Sequence, residues 1–278
     1  MTQMWDHGRA AVFAMMLAGL GTAAQAQGCA PRIADEFLVK PGHLLMATSP
    51  TLPPMAYADA QGNLKGLRIE LGAEVAKRLC LTPEYISIEY AAMVPGLQGG
   101  RWDLIDAGLF VTEERRKILL MIPYENLAIS ISTRIDDDTV KTADDLAGKA
   151  VSTDIGGYAE VKIKQHNADF KARGLAEMTI GLFDNYATVY QALRAGQVDA
   201  AVSIDPVAKQ YEQRGDFRQA LSGMYPTPGS LAMKTPEIAQ AVSDALKEMK
   251  ADGTFDRLME QYGVTPAPGD LSYLPLKN

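Results

Sequence analysis

Short apolar runs that read as strands alternate with segments of helical period, and the whole alternation occurs twice along the chain. A run at 44–47 lies between Gly42 and the Ser49-Pro50 turn. From 67 to 79, Leu67, Leu71, Val75, Ala76 and Leu79 recur at helical spacing. Strands at 86–88 and 103–107 flank a short helix at 93–98, which Gly99-Gly100 ends. The second round has strands at 150–153, 178–182 and 200–203, with helices at 159–165, 187–193 and 206–214. Two last helices, 236–250 and 254–262, are separated by Asp252-Gly253. Pro53 and Pro54 keep 51–54 out of regular helix, because proline removes donors and restricts the residue before it. Strand–helix alternation implies a parallel sheet flanked by helices. Two rounds of it without a long flexible linker predict two α/β lobes with a cleft between them.

Ligands of open α/β sheets bind beyond the carboxyl ends of strands, which selects the loops 49–55, 108–112, 154–158 and 204–206. Ser49, Leu52, Gly108 and Phe110 lie in the first two. Arg115 follows directly, in Thr112-Glu113-Glu114-Arg115. Its planar fork matches a carboxylate, although the same residue suits the exposed face of a charged helix start. Gly156-Gly157 precedes a helix, where bare N–H groups attract anions, or simply makes a turn. Asp154 and Asp205 sit at strand ends, placed either to meet a cationic group or to cap the helices that follow. Tyr90 and Tyr158 are candidates for stacking on a ligand and equally for packing.

The 278 residues carry a net charge of -7 and no basic run longer than Arg115-Arg116-Lys117, which argues against a nucleic-acid partner. The opening segment reads as an export signal: Arg9, an apolar run at 10–20, then Ala24-Gln25-Ala26 with small residues where a signal peptidase cuts. The run is shorter than the roughly 20 residues a membrane span needs. The mature chain is therefore expected to begin near Gln27, outside the cytoplasm. Both cysteines, Cys29 and Cys80, fall in that mature part. In an oxidising compartment they are candidates to pair, with two separate buried thiols as the other arrangement; a bridge would contribute roughly 3–4 kcal/mol. His7, His43 and His166 stand far apart, and no Cys, Asp or Glu joins them at metal-ligand spacing. There is no Gly-x-Ser-x-Gly elbow and no phosphate or dinucleotide loop, so neither metal nor cofactor is expected.

Several stretches, in one order, resemble the family 3 extracellular solute-binding proteins, the amino-acid-binding class of ABC uptake systems. They are SPTLPPMAY at 49–57, GLRIEL at 66–71, VPGLQGGRWD at 94–103, AGLFVTEER at 107–115 and Pro123-Tyr124. DDLAGK at 144–149, QALRAGQVDAA at 191–201 and KADGT at 250–254 complete the series. The resemblance implies an α/β, two-lobed periplasmic-binding-protein fold (type II), each lobe a mixed sheet flanked by helices. After the signal peptide at 1–26, lobe 1 would take 27–130 and 232–278, and lobe 2 would take 131–231. Hinge crossings are expected near 129–133 and 230–233. It also implies a monomeric periplasmic protein, not an enzyme, that hands a small solute to an ABC transporter permease.

Arg115 stands where the family has the arginine that grips the ligand's α-carboxylate. Other positions depart from the pattern. Phe110 replaces a Ser or Thr, Leu52 a common aromatic, and Gly157 and Tyr158 a Thr-rich loop. Ile204 replaces the Asp that holds the α-ammonium, with Asp205 one place on, where the side chain of a strand would face the other way. Asp154 supplies an acid in a position that is often apolar or an amide. The departures point to a modified zwitterion, an opine-like conjugate or another small organic acid. Two other functions fit the same resemblance: a cyclohexadienyl-dehydratase-like enzyme, and an accessory protein of a quinoprotein alcohol dehydrogenase system.

Overall fold

A computed structural model of the chain describes residues 29–277; the expected export signal lies outside them. β1 (His43–Thr48) is buried along nearly its whole length, as a strand covered on both faces must be. A small antiparallel sheet follows, built from β2 (Thr51–Leu52), β3 (Ala56–Ala58) and β4 (Leu64–Lys65). The sequence shows it only as a turn-rich stretch. α1 (Leu67–Arg78) buries Leu67, Leu71, Val75 and Ala76 on one face, as their spacing predicts. β5 (Thr82–Ser87) starts earlier than the expected 86–88, and Pro83 is tolerated because the strand lies at a sheet edge. α2 (Tyr90–Gln98), β6 (Leu104–Phe110) and the short α3 (Glu113–Arg116) come next. Gly108 does not open a loop as expected. It lies inside β6 at φ 60°, where the register against its partner strand slips.

β7 (Leu120–Arg134) leads into β8 (Ala150–Asp154), α4 (Tyr158–Ala172), β9 (Thr179–Phe183) and α5 (Tyr186–Arg194). β10 (Ala200–Ile204), α6 (Asp205–Glu212) and β11 (Phe217–Met233) follow, then α7 (Pro236–Ala251) and α8 (Thr254–Gln261). The eight long strands form one curled mixed sheet in the order β5-β1-β6-β11-β7-β10-β8-β9. Its two ends are the two lobes. β5, β1 and β6 run parallel in one, and β10, β8 and β9 in the other.

β7 and β11 join the lobes as an antiparallel pair. The end of β11 lies between β6 and the start of β7, where Leu231 faces Ile122. Further along, Ile129 to Ser132 of β7 pair with β10. The register between the two strands slips at four places, and the slip at Met224/Thr227 falls between the stretch of β7 paired with β10 and the stretch of β11 paired with β6. Residues 129–133 and 230–233 lie on either side of that point. α7 and α8 return to pack on α1. The tail is tied to β7 by bridges at Met121–Leu274 and Glu125–Pro266.

Cys29 and Cys80 form a disulfide, with Cα atoms 5.5 Å apart. It anchors the start of the described chain to the end of α1. Cys80 follows the cap of that helix at φ 58°, and Leu81 N–H closes the end on Ala76 O at 2.9 Å. Packing in lobe 1 is tight enough to test. A Cβ on Gly96 would lie 2.0 Å from the buried Trp102 ring. Gly96→Ala is expected to cost about 1–3 kcal/mol through overpacking, seen as a lowered urea midpoint with an unchanged slope. An unchanged midpoint would mean that the ring has room to move.

Candidate functional site

The carboxyl ends of the strands of both lobes converge on one hollow. Ser49 follows β1 and Phe110 ends β6. Asp154 ends β8, Asp184 and Asn185 follow β9, and Ile204 ends β10. Eight of the ten candidates from the sequence line it: Ser49, Leu52, Tyr90, Gly108, Phe110, Asp154, Gly157 and Tyr158. Arg115 and Asp205 do not.

Aromatic rings nearly fill the space. Phe110 from lobe 1 stacks on Tyr158 from lobe 2, with centroids 4.5 Å apart and planes 19° from parallel. Thr227 Oγ1 donates to the Tyr158 hydroxyl at 3.0 Å. About 20 Å³ remains for the centre of a water-sized sphere, which is room for one or two waters.

Arg115 sits at the mouth. Thr112 caps its short helix by accepting from Arg115 N–H at 3.2 Å. The guanidinium donates to Phe110 O at 3.0 Å and, across the cleft, to Gly156 O at 3.2 Å. It also lies over the Tyr90 ring, 5.8 Å from the centroid. One of its N–H groups thus holds one lobe to the other, and a second fastens the side chain to its own lobe.

Asp205 lies outside the hollow, on the hinge side. It accepts from Ser130 Oγ at 2.5 Å and from Gly223 N–H at 3.1 Å, and Ser130 in turn accepts from Gln219 Nε2 at 2.6 Å. It therefore ties both crossing strands to the start of α6. The one-residue step from Ile204, which does line the hollow, reverses the direction in which the side chain points.

Asp154 is buried at the wall, 4% exposed. Burial pushes its carboxyl up to about 6. Hydrogen bonds from Tyr186, Thr153 and its own backbone, and the charge of Arg115, pull in the opposite direction. Thr153 Oγ1 donates to it at 3.3 Å. A Cβ on Gly157 would come within 2.5 Å of Asp154 Oδ1, so glycine there leaves the carboxylate its place.

The sequence reading missed Thr51, Arg68, Asp184, Asn185 and Tyr186, which also line the hollow. The strand-end rule contains the signal for three of them. The loop between the strand read at 178–182 and the helix read at 187–193 is one more carboxyl end. Asn185 caps that helix, accepting from Thr188 N–H at 3.1 Å. Arg68 carries no such signal, because it sits in the first turn of an apolar helix. It is 1% exposed and donates Nη2 and Nε to Glu125 Oε1 at 2.9 and 3.3 Å. Gly108 and Gly229 make room for this pair. A Cβ at Gly108 would lie 2.0 Å from Arg68 Nη2, and one at Gly229 would lie 2.7 Å from Glu125 Cγ. Asp106, also fully buried, is pushed well above the usual carboxylate range by desolvation.

A two-lobed molecule with a hollow shared by both lobes has counterparts among known proteins. The family model described as bacterial extracellular solute-binding proteins, family 3, matches residues 44–265. The L-cystine-binding protein TcyJ of Escherichia coli (strain K12) is 27% identical over 228 residues, covering 80% of this chain and 82% of its own. The structure of an ancestral arginine-binding protein bound to arginine superposes with a TM-score of 0.73 at 30% identity, over 80% of this chain and 98% of that one. An ancestral amino acid-binding protein, AncCDT-1, a precursor of cyclohexadienyl dehydratase, gives 0.71 at 28% identity, over 80% and 95%.

Proposed function

Because the chain belongs to the bacterial extracellular solute-binding proteins of family 3, we propose that it is the periplasmic solute-binding component of an ABC uptake system. It closes two lobes on a small amino-acid-like solute and hands it, as a monomer, to a membrane permease. Lobe 1 comprises 27–130 and 232–278, and lobe 2 comprises 131–231. The observation that carries this reading is the hollow itself, walled by strand ends from both lobes and shut by groups that reach across it. Closure of this kind is the hinge motion of periplasmic binding proteins. Similar proteins that bind cystine and arginine support a solute of that size and polarity. Ser49, Leu52, Tyr90, Gly108, Phe110, Asp154, Gly157 and Tyr158 are the residues that meet it. Arg115 closes the mouth over it, and Asp205 steadies the hinge.

Native mass spectrometry of freshly purified protein is expected to show a retained small molecule that is lost on partial unfolding. Calorimetric titration with amino acids and small amines is expected to give saturable heat for at least one of them. Absence of both would overturn the transport reading. Incubation with prephenate or arogenate is expected to leave them unchanged, and formation of product would replace transport by dehydration chemistry, with Asp154 as the buried acid.

A further inference from the structure

A second space lies beside the hollow. Its walls continue those of the hollow, from Ser49 to Pro50 on lobe 1 and from Tyr186 to Ala187 on lobe 2, and Thr51 lines both spaces. It is therefore also a groove between the lobes. It offers about 480 Å³ where the hollow leaves about 20 Å³. Pro53, Pro54 and Tyr57 give it a largely apolar flank. The hollow has two acids in its wall, Asp154 and Asp184. The groove has none, and Arg214 is its one charged side chain among the described residues.

Arg214 is held in place without an acid partner. Its Cζ lies 4.5 Å from the centroid of the Tyr211 ring. Tyr190 covers the other face of that ring, with centroids 3.7 Å apart and planes 5° from parallel. The Tyr190 hydroxyl is fixed in turn by hydrogen bonds of 2.9 Å to the hydroxyls of Ser132 and Ser203. The column rises from the core of lobe 2 to the groove. Stacking engages the face of the guanidinium and leaves its edge. Even with one N–H given to the Tyr211 hydroxyl, most of the fork remains for a guest. The acids nearest in sequence are engaged elsewhere among the described residues: Glu212 pairs with Lys209 at 2.7 Å, and Asp216 pairs with Arg194.

Building on the solute-binding reading above, we propose that this groove is the second half of the binding site, and that the solute is an amino acid whose side chain ends in a carboxylate. Its head takes the hollow, its stem runs past Thr51 along the prolines, and Arg214 receives the distal carboxylate. The charges sort the solute in that direction. A far-end acid is repelled by Asp154 and Asp184 in the hollow and attracted by the lone cation of the groove. Pro50 and Arg214 belong to opposite lobes, so the distal contact also favours closure.

The test is titration calorimetry on the mature chain at pH 7.5 and fixed ionic strength. L-glutamate, L-α-aminoadipate and L-α-aminopimelate, which lengthen the stem one methylene at a time, are each compared with their side-chain amide. At one length or more, the acid is expected to bind about three- to fivefold more tightly than its amide, as suits an ion pair to an exposed guanidinium. Arg214→Gln is expected to remove that preference and to leave the affinity for the amide unchanged, with the circular dichroism spectrum unaltered.

Equal binding of acid and amide at every length, or a preference that survives Arg214→Gln, would overturn the groove as a subsite and leave the transport reading standing. Heat from none of the six solutes would also overturn it. The transport reading falls with it only if native mass spectrometry shows no retained molecule either.

Discussion

Replacing Glu125 by Gln is expected to lower folding stability by about 3–5 kcal/mol, the usual cost of stranding one member of a buried ion pair. Arg68 and Glu125 are 1% and 0% exposed. Burial pushes the nearby Asp106 carboxyl well above the usual carboxylate range, so it is a poor substitute for the lost charge. The guanidinium stays charged in any variant; the attraction of Glu125 raises its proton affinity further, against the opposing effect of burial. Asp106 is nevertheless close enough for Arg68 to pull its proton affinity down. Removing Glu125, whose charge pushes the other way, favours ionisation of Asp106. Glu125→Gln and Asp106→Asn are therefore expected to be non-additive, with a coupling of at least about 1 kcal/mol in a double-mutant cycle. Urea unfolding at pH 7.5 reads both numbers. A loss under about 1 kcal/mol for Glu125→Gln alone would mean that the pair does little to hold α1 against β7. Arg68→Met with Glu125→Leu is expected to be near neutral, because apolar groups of similar size relieve both desolvation penalties.

The second large effect runs the other way: Asp154→Asn is expected to stabilise the fold at neutral pH by on the order of 3 kcal/mol. The carboxyl titrates at about 6 when folded, against an ordinary value of 3.8. Between those two values the folded chain holds a proton that the unfolded chain has released. Stability therefore falls as pH rises through that window, and the loss is complete above about 6. The amide carries no charge, so the variant escapes this loss. Its advantage should be full at pH 7.5, shrink through pH 6–4, and vanish below 3.8. Urea midpoints of the two proteins across pH 4–8 test it. Parallel profiles would show that Asp154 carries no such strain.

The parts of the fold that were legible in the sequence are those whose period is local. The face of α1, the break at Asp252-Gly253 and the strand ends around Ser49, Asp154 and Ile204 all follow from spacing within a dozen residues. The two long connecting strands were not legible. β7 contains Pro123, Glu125 and Asn126, and β11 contains Pro226 and Pro228, residues that read as strand breakers. They are tolerated because each strand changes neighbours where these residues fall. The α1–β7 ion pair joins residues 57 apart, with two glycines from other strands making the space. No single window of sequence contains that relation. The sequence brought Arg115 to the cleft but not to its carbonyl partners, since a guanidinium's choice between a guest and the backbone depends on how far the lobes close.

The Phe110–Tyr158 stack bears on the energetics of uptake. The rings belong to opposite lobes and fill the hollow to which the proposed function assigns the guest, so on that proposal the protein competes with its own cargo. Every encounter must find a molecule whose rings have drawn apart, and the measured dissociation constant is the intrinsic one divided by the fraction of such molecules. Trimming either ring would then raise the open fraction while removing a surface that grips the guest. On the proposed function, affinity is set by a balance between plug and clasp, and the same two side chains serve as both.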